Sequence, residues 1–359
     1  MKPNGWIICE TAQSGDYHAG TKARADAESI ACAMGMKRYK VLFDDVNRKN
    51  AKLSAKIKYQ FTAFSQWQKG LNQLSTDSTA IIQYPLENRT VFFPFAIKRL
   101  KRRGTQLIVL IHDIDSLRYR HSIKLLPKRL NSLIQDRAMM RLADRVIVHN
   151  TRMLSVLLKE NIIHLEQAVI LGMFDYLTTG SPLETSKHKL GEAIVIAGNL
   201  MPEKAGYVYD LPQDIRFRLY GPNYEDNGKQ ANIEYMGSFP PDDLPFNIVG
   251  SFGLVWDGDS ATTCSGAYGD YLRYNNPHKL SLYLAAGLPV VVWSESAVSE
   301  FVKQSNVGIC INSLLELEDM IKRVSQVEYE EMLKKVRKYQ SRACSGQYLH
   351  EAINRCLGL

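Results

Sequence analysis

Residues 274–292 read YNNPHKLSLYLAAGLPVVV. Asn276 suits a helix cap, because its side chain can accept from the first free N–H groups, and Pro277 suits the first helical position. LSLYLAA continues the helix, Gly287 can end it, and Pro289 to Trp293 reads as a buried strand. The first turn breaks a rule. His278 and Lys279 stand at the positive end of the helix dipole, where backbone N–H groups lack partners and anions are preferred. A bound pyrophosphate removes the conflict by accepting from the N–H groups and the ammonium together.

Outward from this stretch, short apolar runs alternate with helical patterns. The predicted strands of the first half are WIIC (6–9), KVLFD (40–44), TAIIQYP (79–85), QLIVLIHD (106–113), RVIVHN (145–150) and AVILGMF (168–174). The polar segment TTGSPLETSKHKLGE (178–192) reads as a linker. The alternation then restarts with EAIVIAGN, IRFRLYGP, NIEYMG, FGLVWDGD, LPVVVW and VGICIN. Continuous apolar strands separated by helices predict parallel sheets covered on both faces. Two such domains leave a cleft at the carboxyl ends of their strands. The final segment from Val327 reads as two helices.

Composition narrows the class. The chain has 359 residues, 45% of them hydrophobic, and a net charge of +8. Residues 1–180 hold 28 Lys and Arg against 15 Asp and Glu, whereas the remainder holds 17 against 22. A basic first half can face nucleic acid, anionic lipid or a phosphorylated acceptor, or can simply be a solvated surface. The basic residues show no interleaved aromatic platform, so a nucleic-acid binder is disfavoured. Six scattered cysteines without a C-x-x-C pair fit a reduced cytosolic chain and oppose a zinc site or a disulfide framework. The start of the sequence shows no signal peptide, and no run is long and apolar enough to span a bilayer. FAIKRLKRRG (95–104) and HSIKLLPKRL (121–130) mix cations with apolar residues, as a peripheral membrane surface does.

Other strand ends fit a phosphate or nucleotide cleft. Gly198 and Asn199 end one strand, with Lys204 close behind to meet a phosphate. Phe239 follows another strand and can stack on a base or pack its own loop. Gly20, Thr21 and Lys22 read as a flexible turn that opens a helix; they form neither G-x-G-x-x-G nor a P-loop. QLIVLIHD delivers His112 and Asp113 at its carboxyl end, followed by Asp115 and Arg118. Asp113 there can take a proton from an acceptor hydroxyl, or can cap the next loop. WDGD (256–259) is an Asp-x-Asp pair, but Lys279 and the helix end already supply the charge a metal would bring. Asp257 is therefore expected to meet sugar hydroxyls, with no metal ligand in the set. The loop 262–279 should cover the sugar, with Asp270, Arg273 and Asn275 as hydroxyl partners.

The ordered pieces AGTKARAD, LIVLIHDIDSLR, ADRVIVHNTRM, ILGMFDY, IAGN, GLVWDGD and YNNPHKLSLYLAAGLPVVV resemble the GT-B class of nucleotide-sugar glycosyltransferases. More narrowly, the chain resembles bacterial β-1,6-galactofuranosyltransferases of O-antigen and capsule synthesis. It is also similar to the glucosyltransferases that extend O-GlcNAc on serine-rich-repeat adhesins. The resemblance implies two Rossmann-like domains facing a central cleft, expected at 1–180 and 190–337, with 338–359 returning to the first. It implies UDP held by Lys279, His278, Lys204, Gly198, Asn199, Asn276 and Phe239, with Lys204 replacing an arginine and Phe239 a tyrosine. Metal-independent transfer and self-association also follow from it, with a UDP-sugar as donor substrate and no cofactor. For the base, Asp113 stands first, with His112 and Asp16 behind. Two other readings are a glucosyltransferase acting on an adhesin and a non-catalytic partner subunit; the intact His278/Lys279 turn opposes the second.

Overall fold

The computed structural model describes residues 5–12, 19–43, 52–88, 90–178, 187–226, 228 and 230–359. The first half runs β1 (Gly5–Ala12), α1 (Ala19–Ala33), β2 (Lys37–Phe43), α2 (Leu53–Asn72), β3 (Thr79–Tyr84), α3 (Phe93–Lys101), β4 (Gln106–Ile111), α4 (Asp115–Arg118), α5 (Leu126–Met140), β5 (Arg145–Val148), α6 (Thr151–Lys159) and β6 (Ala168–Ile170). The second runs β7 (Ile194–Ala197), α7 (Pro202–Ala205), β8 (Phe217–Tyr220), β9 (Ile233–Tyr235), α8 (Leu244–Asn247), β10 (Gly253–Val255), α9 (Gly266–Gly269), α10 (His278–Ala285), β11 (Val290–Trp293), α11 (Ser299–Ser305), β12 (Gly308–Ile311), α12 (Leu317–Lys322), α13 (Gln326–Cys344) and α14 (Gln347–Leu357).

Each half builds one six-stranded sheet, in the orders β2-β1-β3-β4-β5-β6 and β12-β11-β10-β7-β8-β9. All strand pairs are parallel. This is the two-domain Rossmann-like architecture that the alternation predicts. The strand order explains the layering. The chain steps one way from β1 to β2 and the opposite way through β3, β4, β5 and β6. Right-handed crossovers then place α1 on one face and α2, α3, α5 and α6 on the other. The cores agree: Ala27, Ile30 and Ala31 of α1 pack with Leu349, Ala352 and Ile353 of α14. Trp67, Ile97, Met139 and Leu157 pack together on the opposite face.

The C-terminal return is made at Ser345–Gly346. α13 leans on α10, where Gln340 Nε2 donates to the Ala285 carbonyl at 2.9 Å. Gly346 then takes φ +79°, and a Cβ there would meet Ile30 at 2.7 Å, so the turn needs a residue without one. α14 crosses to the first sheet. Arg355 Nη2 donates to Ile170 O at 2.6 Å, and Gln106 Nε2 donates to Cys356 O at 3.3 Å.

Asp175 anchors the start of α14 by accepting from the N–H groups of Tyr348 (3.1 Å) and Leu349 (2.8 Å). Burial raises its carboxyl to about 7, against the opposing pull of these two hydrogen bonds. The folded chain therefore holds this proton more tightly than the unfolded chain. Between the two values each added pH unit weakens the fold, and above about 7 the loss is complete. Asp175→Asn removes the ionisation. The Tm of the variant relative to wild type should rise from about pH 4 to about pH 7 and level off above. A pH-independent difference in scanning calorimetry would show that Asp175 does not titrate there.

Candidate active site

The carboxyl ends of the two sheets face each other across a cleft of about 610 Å³. From the first sheet it is lined by His112 and Asp113 after β4, Arg118 of α4, and Phe174 beyond β6. From the second it is lined by Gly198 and Asn199 after β7, Lys204 of α7, Phe239, Asp257 after β10, and Asn275 to Lys279 at the start of α10.

Lys279 is not left to water. Its Nζ donates to Asp257 Oδ1 at 2.8 Å and to the Trp256 carbonyl at 2.9 Å, and the residue is buried. Burial opposes the ammonium, but the Asp257 charge and hydrogen bond prevail and hold its pKa above the ordinary lysine range. Asp257 Oδ1 is thus committed to Lys279, while the residue still lines the cleft where a sugar hydroxyl was expected. Lys204 differs. It forms no salt bridge or hydrogen bond through its ammonium among the described residues, and lies 5.8 Å from the Tyr268 ring centre. Asp257 pulls its pKa up, yet burial together with Lys279 and Arg118 brings it below the ordinary value. Two cations and one buried carboxylate thus leave this wall with positive charge to spare.

The backbone favours an anion at the same place. The N–H groups of His278 and Lys279 open α10 without a hydrogen-bond acceptor among the described residues, so both can donate into the cleft. Gly198 (φ +130°) and Gly221 (φ +140°) close the neighbouring strand ends; a Cβ on Gly221 would lie 1.8 Å from Gly198 O. Side chains are excluded there, and the ligand can approach the main chain.

Asn276 corrects the expected cap. Pro277 occupies the N-cap, and no side chain caps the helix. Asn276 instead joins the two sheets. Its N–H donates to His149 Nδ1 at 3.0 Å, and its Nδ2 donates to His149 O (3.0 Å) and Gly172 O (2.7 Å). Its Oδ1 accepts from Asn150 Nδ2 at 2.7 Å. His278 Nε2 lies 3.3 Å from the Asp175 carbonyl, its ring stacks on Tyr176, and burial drives its pKa down to about 4, so it is neutral near pH 7.

The loop 262–279 divides. Tyr268, Tyr271 and Asn275 face the cleft. Arg273 does not: it pairs with Glu295 and lies over the Trp293 ring at 4.4 Å. Its expected contact with the sugar is corrected, since the nearest carboxylate holds the guanidinium elsewhere. Asn275 remains well placed, because its Oδ1 is buried without a hydrogen-bond partner. Asn199 Oδ1 accepts from Asn223 Nδ2 at 2.9 Å. Phe239 lies 6.1 Å from the Tyr220 ring, centre to centre.

On the first sheet, Asp113 is paired with Arg118 at 2.7 Å. His112 Nε2 lies 2.8 Å from Gln83 Oε1, an oxygen that can only accept, so that nitrogen carries the proton. Burial first, then Arg24, His149 and His278, push its pKa well below the ordinary histidine value. Asp16 lies outside the described residues. Gly20, Thr21 and Lys22 are already inside α1, which begins at Ala19, so the expected turn is corrected to the first turn of a helix. Lys22 does not reach the cleft. It is bound to Asp26 (2.6 Å), Leu177 O (2.8 Å) and Asp242 (2.8 Å), the last across the two halves. Tyr268, Phe174 and Tyr220 line the cleft although sequence reasoning did not select them; the aromatic residues in GAYGDY were the available signal.

Two facing Rossmann-like sheets with a cationic cleft define a glycosyltransferase of the GT-B class. Comparison with known proteins agrees. Residues 5–173 match the family description "Glucosyltransferase 3-like, N-terminal domain", and residues 194–356 match "Glucosyltransferase 3-like, C-terminal domain". The chain belongs to this family of glycosyltransferases. It is 29% identical over 345 residues to the beta-1,6-galactofuranosyltransferase WbbI of Escherichia coli (strain K12), covering 94% of each chain. It is 28% identical over 264 residues to glucosyltransferase 3 of Streptococcus gordonii, covering 72% of this chain and 73% of that one. Among solved structures, the sucrose-phosphate synthase of Thermosynechococcus elongatus superposes with a TM-score of 0.62 at 12% identity, over 99% and 98% of the two chains.

Lys204→Ala should weaken UDP binding by about 1.5–3 kcal/mol, the range for a hydrogen bond to a charged group. It should leave thermal stability near wild type, because the ammonium has no salt-bridge partner to lose. Lys279→Ala should reduce both, since it strands the buried Asp257. Calorimetric titration with UDP beside a melting curve separates the two; unchanged affinity in folded Lys204→Ala would remove that lysine from the site.

Proposed function

We propose that the protein transfers a hexosyl group from a UDP-sugar to a glycan hydroxyl in cell-surface polysaccharide assembly, inverting the anomeric centre without a metal. The observation that carries this reading is the positive wall of the cleft: Lys204 without a salt-bridge partner, the Lys279 ammonium, and the free N–H groups of α10. A diphosphate supplies the missing negative charge. Phe239 and the neighbouring Tyr220 offer an aromatic face for a base. The orphan Asn275 Oδ1 awaits a hydroxyl donor, which a sugar supplies.

Asp113 is the proposed base. Its charge and that of Arg118 are both felt by Lys204. Asp113 takes the acceptor proton, the acceptor oxygen bonds to the anomeric carbon, and the bond from that carbon to the UDP oxygen breaks. Charge arising on UDP falls on Lys204, Lys279 and the helix end, which are aimed before the reaction begins. His112 stands second, because burial opposes the charge that an added proton would bring to its ring. Galactofuranose is the first choice of sugar, supported by the full-length similarity to the galactofuranosyltransferase. Glucose is second.

Asp113→Asn should preserve UDP binding and lower turnover by roughly 10²–10⁴, the usual effect of losing a general base. Near-normal turnover would transfer the role to His112 or Asp16. UDP release measured side by side with UDP-galactofuranose and UDP-glucose tests the donor, and faster acceptor-dependent release from UDP-glucose reverses the preference. Turnover should also persist in EDTA, because lysines and the helix end occupy the electrostatic role of a cation. Loss in EDTA with recovery on adding manganese would make Asp257 and Asp259 a metal site.

A further inference from the structure

One flank of the first sheet carries an unusual surface. Helices α2, α3 and α5 lie side by side on it, as the strand order requires. Their inner faces fill the core, but their outer faces expose large apolar side chains. Phe61 is 59% exposed, Phe95 62% and Ile134 68%, with Ile57, Val91 and Leu130 above half. Exposed clusters of this kind mark contact surfaces.

Their position along the helices is informative. Each helix starts beside the carboxyl end of the strand before it, which is the cleft end of the sheet. Ile57 and Phe61 fall in the first half of α2, Val91 and Phe95 at the start of α3, and Leu130 in the first turns of α5. Five of these six apolar residues therefore lie toward the cleft end of the helices, while Ile134 sits midway along α5.

The exposed charges carried by these three helices have one sign. α2 and α3 contain no Asp or Glu, and the sole acidic residue of α5, Asp136, is buried and accepts from the Tyr84 hydroxyl at 2.5 Å. Lys56, Lys58, Lys98, Arg99 and Lys128 are exposed, and none forms a salt bridge among the described residues. Aromatic and aliphatic side chains mixed with cations, without carboxylates, match an anionic bilayer: the apolar groups enter the headgroup boundary and the cations meet lipid phosphates.

We propose that the α2–α3–α5 flank docks the protein on an anionic lipid surface and holds the cleft mouth toward an acceptor carried in that surface. The acceptor clause rests on the transferase reading above; the docking does not.

The test is sedimentation of the full chain with phosphatidylcholine vesicles, with and without phosphatidylglycerol, at low and high salt. Binding should require phosphatidylglycerol and fall as salt rises. Phe61→Ser/Phe95→Ser and Lys98→Glu/Arg99→Glu should each weaken it by at least about tenfold, given roughly fivefold per cation near such a surface. Both double variants should bind UDP as wild type does, because none of the four residues lines the cleft. Absence of binding to anionic vesicles, or wild-type binding by both variants, overturns the proposal. So does a concentration-dependent oligomer that Phe61→Ser/Phe95→Ser dissociates without any vesicle binding, which would assign the flank to a second copy of the chain. Failure here with intact UDP binding leaves the transferase reading standing; vesicle binding without UDP binding would do the reverse.

Discussion

The side chain of Asn276 holds the two halves in the geometry on which the cleft depends. Both its amide groups are used, and its main-chain N–H is used as well. Because that N–H must donate to His149 Nδ1, the imidazole is fixed with its proton on Nε2, which donates to the Ile111 carbonyl at 3.0 Å. Burial pushes the ring down to about 4, so the arrangement is neutral and stable near pH 7. A fully satisfied buried polar network specifies one geometry, because any displacement strands several donors together. What it specifies is where α10 begins. Ser281 Oγ adds a bond of 2.7 Å to the Phe174 carbonyl, so a helix that belongs to the second sheet by sequence is fastened to the first. Its first residues, His278 and Lys279, consequently line the cleft.

That orientation gives the charges their meaning. Lys279 and Asp257 form a buried pair, and such a pair by itself is weak evidence for stability, since both ions give up water. Here it keeps an ammonium fixed at a helix start that would otherwise repel it. Lys204 then faces the unbalanced side. Asp257 pulls the proton affinity of Lys204 up, but burial and then the Lys279 and Arg118 charges bring it below the ordinary lysine value.

The sequence carried the architecture well and the joints poorly. The twelve strands of the described residues were legible: the inner ones are continuously apolar because helices cover both faces, while the edge strands β2 and β9 showed through their place in the alternation. The conflict at Lys279 was legible because a cation in a first helical turn is visible within four residues. Asn276 was misread as a cap, Arg273 as a sugar contact and Lys22 as part of a loop. For Asn276 and Arg273 the deciding partner, His149 or Glu295, lies outside the local stretch; Lys22 is settled inside α1, where Asp26 four residues on takes its ammonium. A residue type shows what a side chain can bind, but not which partner reaches it first.

The uneven charge of the chain resolves in the same way. Several cations of the first half are consumed inside it: Arg120 and Arg129 share Glu160, Arg118 holds Asp113 and Asp115, and Lys101 pairs with Asp144. Those pairs fix loops beside the sheet and cancel at long range. The cations left over are concentrated on the outer helices, where no carboxylate answers them. A net excess spread evenly would act as a solubility term. Concentrated on one flank beside exposed phenylalanines, it is the feature on which the proposed docking to an anionic plane rests.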